Sequence, residues 1–306
     1  MITSRREILI GTGGALAAGA FLFSDPSLLF ANPLGRSIGL QLYTIGEQLQ
    51  KDYYGTLEQV AAIGYREVEM AGFFGKKPAE IKTSFRNAGL HCGSLHIGMG
   101  GVEEALRYAT EIGAKYIISS VVLPAPLGPG TGDAKTFRAK LDSLTFDDYK
   151  SIAEKCNDMG EVARKAGVQF GYHNHNLEFK PLEGGIGYDE LIRATDPRLV
   201  KFELDCGWMA VAGYDPAEYL ARYPTRYRLL HIKEFQPTIK PVVTLDGNSR
   251  LTPTELGRGH VDYPTIFAAA KKTEVEWYYV EQEPPFTTVP AMEAIKIDYD
   301  YLHRLN

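Results

Sequence analysis

The chain has 306 residues, of which 44% are hydrophobic and 23% are charged, a composition typical of a folded globular protein. Its net charge is −5 and it has no block of basic residues, so the sequence gives no indication of nucleic-acid binding. Its three cysteines are too few and too scattered for a disulfide framework or a cysteine zinc site. We expect them to be small buried residues, with a single disulfide as the open alternative.

The first 33 residues have the pattern of an export signal and lie outside the predicted fold. Arg5 and Arg6 precede an apolar stretch over residues 10–23, which resembles a twin-arginine signal. A membrane anchor is the alternative, but the stretch is short and rich in glycine. We expect residues 1–33 to be removed, with cleavage near Ala31. The mature protein, residues 34–306, is then exported, to the periplasm in a bacterium, without stable membrane insertion.

From Ser37 onward, short apolar runs alternate with segments of helical period. The apolar runs predict strands over residues 38–43, 67–70, 91–96, 116–122, 168–174, 200–204, 229–232 and 277–280. The segments after them predict helices over residues 53–63, 78–88, 103–112, 146–166, 188–194, 216–223, 264–272 and 289–303. Eight alternating units predict a parallel sheet closed into a (β/α)8 barrel of a single domain. Residues 124–132 and 236–259 are long loops at the barrel mouth, where we expect lids.

Four strands in the second half of the chain end in ionisable residues two positions apart. These pairs are His173 and His175, Glu203 and Asp205, His231 and Lys233, and Glu281 and Glu283. Residues two apart share one face of a strand, and the carboxyl ends of barrel strands form the active-site face. Histidine and carboxylate side chains from four strands are ligands that zinc, manganese and cobalt prefer. The pattern therefore predicts one metal site.

Each of these residues has a structural alternative when it is considered alone. Asp205 could cap the next helix, His231 could be a core histidine, and the histidine pair could bond neighbouring strands. Four such residues at four strand ends are better explained by one cation. Within the first pair, His173 is deeper and is the expected ligand, whereas His175 is nearer the mouth and the substrate.

The remaining pair members are candidates for proton transfer or for orienting the ligands. Glu203 and Lys233 flank expected ligands on the same strand face, so each could be a general acid or base. We expect a nearby cation to lower the pKa of Lys233. Glu283 is expected at the solvated rim.

Other candidate substrate contacts lie on the first three strands and on the loops. Tyr43, Glu69 and His96 end those strands, although Glu69 could equally belong to a structural ion pair. Trp208 could stack on a sugar ring or pack beneath its loop. Arg258 and His260 flank a glycine in a loop that could contact a sugar or remain solvated.

Five segments together resemble the xylose-isomerase-like barrel superfamily, often labelled sugar phosphate isomerase/epimerase. They are residues 172–175, 204–208, 230–234, 257–262 and 279–281. The resemblance implies a carbohydrate substrate and one manganese, cobalt, magnesium or zinc ion. By position in the motifs, it implies that the ion is held by His173, Asp205, His231 and Glu281.

The chain departs from the superfamily on the fifth strand. The ketose epimerases of the superfamily carry a glutamate there that binds metal and moves a proton, whereas this chain has His173. A histidine bound to metal cannot also be a free base. Proton transfer would therefore involve Glu281 together with His175, Lys233 or Glu203.

We therefore expect a divalent-metal-dependent isomerase or epimerase that acts on a keto-sugar or keto-glycoside through an enediolate. The alternatives are a metal-dependent lyase that cleaves 3-keto-glycosides by β-elimination and a non-catalytic sugar-binding barrel. Metal-assisted hydrolysis of nucleic acid is disfavoured by the acidic charge balance. Export favours a glycoside over a sugar phosphate, and homo-oligomerisation is left open.

Overall fold

The structure, a computed structural model, describes residues 34–98, 101–125, 133–245 and 251–305. The expected export signal over residues 1–33 lies outside the described residues, as do residues 126–132 and 246–250 of the two expected lid loops. Within the described ranges, no helix is long and apolar enough to cross a membrane. The three cysteines are free and buried, as expected.

Eight parallel strands close into a barrel in which the spatial order follows the chain. They are β1 (Gly39–Gln41), β2 (Glu67–Met70), β3 (His91–His96), β4 (Tyr116–Ser119), β5 (Gln169–His173), β6 (Val200–Asp205), β7 (Tyr227–Ile232) and β8 (Trp277–Val280). Each strand pairs with its neighbours in sequence, and β1 closes the cylinder against β8 with Gly39 beside Tyr279. The predicted (β/α)8 barrel is confirmed.

Helices follow the strands and cover the outside of the barrel. They are α1 (Gly46–Lys51), α2 (Tyr53–Ile63), α3 (Pro78–Ala88), α4 (Gly101–Ile112), α5 (Ala134–Asp142), α6 (Phe146–Lys165), α7 (Gly187–Ala194), α8 (Cys206–Val211), α9 (Pro216–Arg222), α10 (Tyr263–Ala270) and α11 (Ala291–Arg304). The sequence pattern missed α1, α5 and α8. Helices α1 and α8 have only six residues each, too few to show a period, and α5 buries only Leu141.

The barrel interior changes from apolar to ionisable along the strands. An apolar layer is formed by Tyr116, Ile118, Leu229 and Tyr279. Two residues further toward the carboxyl ends of β7 and β8, the corresponding positions are His231 and Glu281, both buried. The amino-terminal part of the interior is therefore a packed core, and the carboxyl end holds the polar chemistry.

The segment after β7 is tied to the barrel end in its described part. Residues Glu234–Phe235 pair antiparallel with Pro253–Thr254. Glu234 Oε1 accepts the backbone N–H groups of His260 at 3.1 Å and Val261 at 3.2 Å. Asp298 Oδ1 on α11 accepts the backbone N–H of Leu256 at 2.7 Å. These contacts fix the returning half of the expected lid.

Asp298 makes the stability of the fold depend on pH. Burial raises the pKa of its carboxyl to about 8, above the value of about 3.9 in an unfolded chain. Between these values the folded state keeps a proton that the unfolded state has lost. The contribution of Asp298 to the free energy of unfolding is therefore complete below pH 4 and is lost as pH rises through 8.

We predict that Asp298→Asn removes this dependence, because an amide oxygen can still accept from Leu256 but carries no titratable proton. The Tm of the variant, relative to that of the natural chain, should rise between pH 5 and pH 8 when both are metal-free. An offset in Tm that is the same at both pH values would contradict the assignment.

Candidate metal centre

The ends of β5 to β8 bring four ligand-type side chains to one point inside the barrel. His173, Asp205, His231 and Glu281 each offer one ligand atom, and these atoms all lie within 4.8 Å of one another. All four side chains are buried. The structure thus brings together the same four residues that the sequence places at four separate strand ends.

Asp205 gives the clearest test of whether this group fits a cation. Its Oδ1 accepts the backbone N–H of Trp208 at 2.8 Å and caps α8. Its Oδ2 has no hydrogen-bond partner among the described residues and lies 3.8 Å from His173 Nε2 and 3.9 Å from His231 Nδ1. Those separations are too long for hydrogen bonds, but two ligand bonds of about 2.0–2.2 Å can span them. One carboxylate can therefore be both cap and ligand.

The inner nitrogens of the two imidazoles meet buried carboxylates. His173 Nδ1 lies 3.0 Å from Glu203 Oε2, and His231 Nε2 lies 2.6 Å from Glu69 Oε2. The outer nitrogens face the other two ligand-type residues: His173 Nε2 lies 3.8 Å from Asp205 Oδ2, and His231 Nδ1 lies 3.0 Å from Glu281 Oε2, where a cation would take the place of the shared proton. Metal-binding histidines are commonly oriented by such carboxylates, which fix the tautomer of each ring.

A second group of ligand-type side chains shares His173 and His231 with the first one. It consists of His96, His173, Glu203 and His231. Glu203 Oε2 is 3.0 Å from His96 Nε2, 3.0 Å from His173 Nδ1 and 3.3 Å from His231 Nε2. Because these are hydrogen-bond distances, we interpret Glu203 as a carboxylate that orients the imidazoles rather than as a metal ligand.

Lys233 is wholly buried, and its ammonium group joins three carboxylates. Its Nζ lies 2.6 Å from Glu281 Oε2, 2.5 Å from Glu283 Oε1 and 3.2 Å from Asp205 Oδ2, although the last contact lacks hydrogen-bond geometry. Burial disfavours the ammonium, but the carboxylates outweigh it and raise the pKa of Lys233. The expected lowering by a bound cation stays a prediction, since these contacts involve protein groups alone. Lys233 is a fixed cation that holds two glutamates in place.

A cavity of about 180 Å³ opens over this group. It is lined by Gln41, Tyr43, Ala71, His96, Ser120, His173, His175, Glu281 and Glu283. Burial lowers the pKa of His175 to about 4, so its ring is neutral at pH 7. Burial also disfavours a charged His96, but Glu69 and Glu203 outweigh burial and raise its pKa to about 10. Two imidazoles in opposite protonation states therefore face one cavity.

The residues expected to face the cavity from the first three predicted strands and from β6 do not all line it. Tyr43 and His96 line it. Glu69 and Glu203 are wholly buried beneath the imidazoles and do not. Burial also raises the pKa of Glu203, to about 7, and the nearby Glu69 adds to the rise. Glu203 is therefore placed to orient His173 rather than to contact substrate.

Three further residues expected to contact substrate lie away from the cavity surface. Trp208 is buried, and its Nε1–H donates to Glu283 Oε1 at 3.2 Å, which holds that carboxylate at the cavity. Arg258 forms an ion pair with Glu255 at 2.7 Å. The Nδ1 of His260 lies 3.1 Å from a backbone carbonyl oxygen. None of the three is among the lining residues.

The structure adds residues that the sequence reasoning missed. Gln41 lines the cavity and donates from Nε2 to Glu69 Oε2 at 2.8 Å. Asn174 accepts the backbone N–H of Asp205 at 3.0 Å and donates to its carbonyl at 3.3 Å, which joins the ends of β5 and β6. Spacing could have indicated both, since Gln41 is two residues before Tyr43 and Asn174 lies between two histidines. Ser120, which also lines the cavity, carries no such signal.

Comparison with known proteins agrees with the fold. A family profile described as Xylose isomerase-like TIM barrel matches residues 57–303. Inosose dehydratase of Geobacillus kaustophilus is 25% identical over 285 residues, which cover 85% of this chain and 89% of that protein.

Two solved structures have the same architecture. A sugar phosphate isomerase/epimerase from Parabacteroides distasonis matches with a TM-score of 0.67 at 25% identity, covering 87% of this chain and 93% of that one. The IOLI protein, solved with a bound zinc atom, matches with a TM-score of 0.63 at 14% identity and shows the shared fold, covering 87% and 96% of the two chains.

We predict that His173→Ala and Asp205→Asn each remove tightly bound metal. A purified natural chain should retain about one equivalent of zinc or manganese after dialysis, because imidazole and carboxylate donors from four strands converge in one buried group. Elemental analysis and calorimetric titration measure this, with Glu161→Gln on the exposed face of α6 as the matched control. Unchanged metal content in His173→Ala would remove His173 from the ligand set.

We also predict that Glu203→Gln weakens metal binding without removing a ligand. The amide no longer favours a proton on His173 Nδ1, and loss of such an orienting carboxylate costs about 10–100-fold in metal affinity. Titration with Co²⁺, followed by its visible absorption, reports both affinity and ligand geometry. Glu218→Gln, at an exposed position of α9, is the control. A metal affinity of Glu203→Gln equal to that of the natural chain would contradict the orienting role.

Proposed function

The chain belongs to the xylose isomerase-like TIM barrel family, and from that premise we propose that it is a divalent-metal-dependent enzyme acting on a keto-sugar or a cyclic keto-polyol. The observation that carries the proposal is the buried group of His173, Asp205, His231 and Glu281 beside a cavity lined by further acids and bases. A divalent cation held by these four residues would supply a Lewis acid for a substrate carbonyl, an effect worth several kcal/mol.

Two imidazoles provide the acid and the base. His175 is neutral at pH 7 and lines the cavity, so we assign to it removal of the proton from the carbon next to the carbonyl. His96 also lines the cavity and is protonated, so we assign to it donation of a proton to the leaving oxygen. Pairs of groups whose surroundings push their pKa values apart are characteristic of acid–base catalysis.

Lys233 and Trp208 position the carboxylates of the cavity. The Lys233 ammonium holds Glu281 and Glu283, and the Trp208 indole N–H donates to Glu283. Neither Lys233 nor Trp208 lines the cavity. Their contribution is to keep two carboxylates at fixed places beside the substrate hydroxyl groups.

Elimination is the reaction that we favour. His175 takes the proton from carbon, the electron pair of that C–H bond forms a carbon–carbon double bond, and the β-oxygen leaves. It leaves with the proton of His96, as water from a polyol or as an alcohol from a glycoside. The relatives named inosose dehydratase support loss of water from a cyclic keto-polyol.

Epimerisation or isomerisation, which the sequence suggested first, is the second candidate. It shares the first proton removal but returns a proton to carbon. A pair of opposed carboxylates is not present in the proposed ligand set, because His173 stands on the fifth strand. Because the chain is similar to a solved sugar phosphate isomerase/epimerase, the deuterium-exchange experiment given below also distinguishes this reaction from elimination.

We further propose that the mature barrel acts after export, as the twin-arginine-like segment indicates. Such a location favours glycosides or free polyols over phosphorylated sugars. Fractionation of cells that express the full chain tests this separately from the chemistry. Retention of the uncleaved chain in the cytoplasm would contradict it.

We predict that the manganese-loaded protein, incubated in D₂O with an inosose or methyl 3-keto-glucoside, incorporates deuterium next to the carbonyl and produces a conjugated enone. His175→Ala should lower the rate by about 10²–10⁴-fold with unchanged metal content. His96→Gln should slow enone formation more than deuterium exchange. His260→Ala, which changes a histidine away from the cavity, is the control.

The competing functions give different results in the same experiment. Sugar binding with no exchange and no product would indicate a non-catalytic sugar-binding barrel. Deuterium uptake without enone would indicate an epimerase or isomerase. Nicking of abasic DNA by the metal-loaded protein would indicate a nuclease and contradict the proposal.

A further inference from the structure

A second, larger cavity adjoins the one over the metal centre. Its volume is about 700 Å³, and it lies between residues 49–54, around the junction of α1 and α2, and residues 71–76, which follow β2. Ala71 lines both cavities. Both segments follow the carboxyl ends of barrel strands, so the two cavities open on the active-site face.

The smaller cavity is too small to hold a large substrate on its own. At about 180 Å³ it is below the range of about 300–1,000 Å³ that is common for small-molecule sites. A substrate larger than one sugar ring must therefore extend beyond it. Ala71 marks the boundary at which such an extension enters the larger cavity.

The larger cavity presents an aromatic side chain that is exposed but held in place. The side chain of Tyr54 is 51% exposed, yet its hydroxyl donates to Glu80 Oε1 at 2.6 Å. Lys76 Nζ donates to the same carboxylate at 2.8 Å and lies 4.6 Å from the centroid of the Tyr54 ring. An exposed ring that is pinned in this way loses little conformational freedom on binding, which favours affinity.

The other walls combine apolar and polar groups. Tyr53 packs against Phe74 with ring centroids 5.7 Å apart. Phe74 has a φ of +51°, in the left-handed region that bulky residues rarely adopt, and such strained residues cluster at ligand clamps. Asp52 and Lys76 add charged groups to the lining. Aromatic faces with hydrogen-bonding groups match a sugar ring, which has apolar C–H faces and polar edges.

We propose that this second cavity is a subsite for the second ring of a glycoside whose first, keto-bearing ring lies at the metal centre. The inference rests on the proposed function and extends it, because it selects two-ring glycosides over single-ring sugars. Contacts of the larger cavity with the second ring, which carries the leaving oxygen, are made alike in the ground state and in the transition state. Their loss should therefore raise KM with little change in kcat.

The experiment compares two probes that differ by one ring: methyl α-glucoside and maltose, each oxidised at C3 of the non-reducing ring. With the manganese-loaded natural chain, KM for the two-ring probe should be at least about tenfold lower. Tyr54→Ala should abolish that difference and leave KM for the one-ring probe unchanged. Tyr54→Phe keeps the ring and should keep most of the difference, and Val162→Ala, at an exposed position of α6, should keep all of it.

Each other outcome has a definite meaning. A ratio of KM values that survives Tyr54→Ala overturns the subsite. Turnover of neither probe contradicts elimination from glycosides but not dehydration of a keto-polyol, and the subsite is then tested by calorimetry with unoxidised maltose and methyl α-glucoside. Tighter maltose binding that Tyr54→Ala abolishes supports the subsite, and equal binding overturns it. A natural chain that sediments as a dimer, and becomes monomeric in Tyr54→Ala, reassigns the cavity to a subunit interface.

Discussion

Burial of several charges at one end of a barrel is tolerated only when each charge meets an opposite one. Asp205 and Glu281 are removed from water together with Lys233, and desolvation of each is costly. The lysine contacts both carboxylates, but Asp205 Oδ2 still has no hydrogen-bond partner among the described residues, and burial raises the pKa of Asp205 to about 6. A cation at this point removes the imbalance. The remainder of the site is arranged around that requirement.

The barrel meets the requirement in layers. The apolar layer toward the amino ends gives a rigid base, the carboxylates of Glu69 and Glu203 lie above it, and the imidazoles of His173 and His231 come next. Each imidazole is bonded to a carboxylate on its inner side, and on the outer side His173 Nε2 faces Asp205 whereas His231 Nδ1 lies 3.0 Å from Glu281 Oε2. The packed core and the site residues thereby occupy different parts of the strands. Changes in the loops at the mouth can alter substrate preference without disturbing the core.

Much of this arrangement could be predicted from the sequence, since strand period and the two-residue spacing of ionisable residues are local properties. The position of each residue along the barrel axis could not be predicted in this way. Two residues along a strand span about 6.6 Å, so Glu203 and Asp205 share a face but not a layer. The protonation of Lys233 depends on carboxylates from β6 and from the chain after β8, and no local pattern shows them. Short helices such as α8 also escape detection, because six residues hold fewer than two turns.

The most direct test is to locate the cation itself. Crystals of the manganese- or zinc-loaded protein, measured across the absorption edge of the metal, give its position independently of any assay. We predict one anomalous peak within bonding distance of His173 Nε2, Asp205 Oδ2, His231 Nδ1 and a Glu281 carboxylate oxygen. A peak between His96 and Glu203, or the absence of any peak at the ends of β5 to β8 in crystals soaked to full metal occupancy, would contradict this assignment.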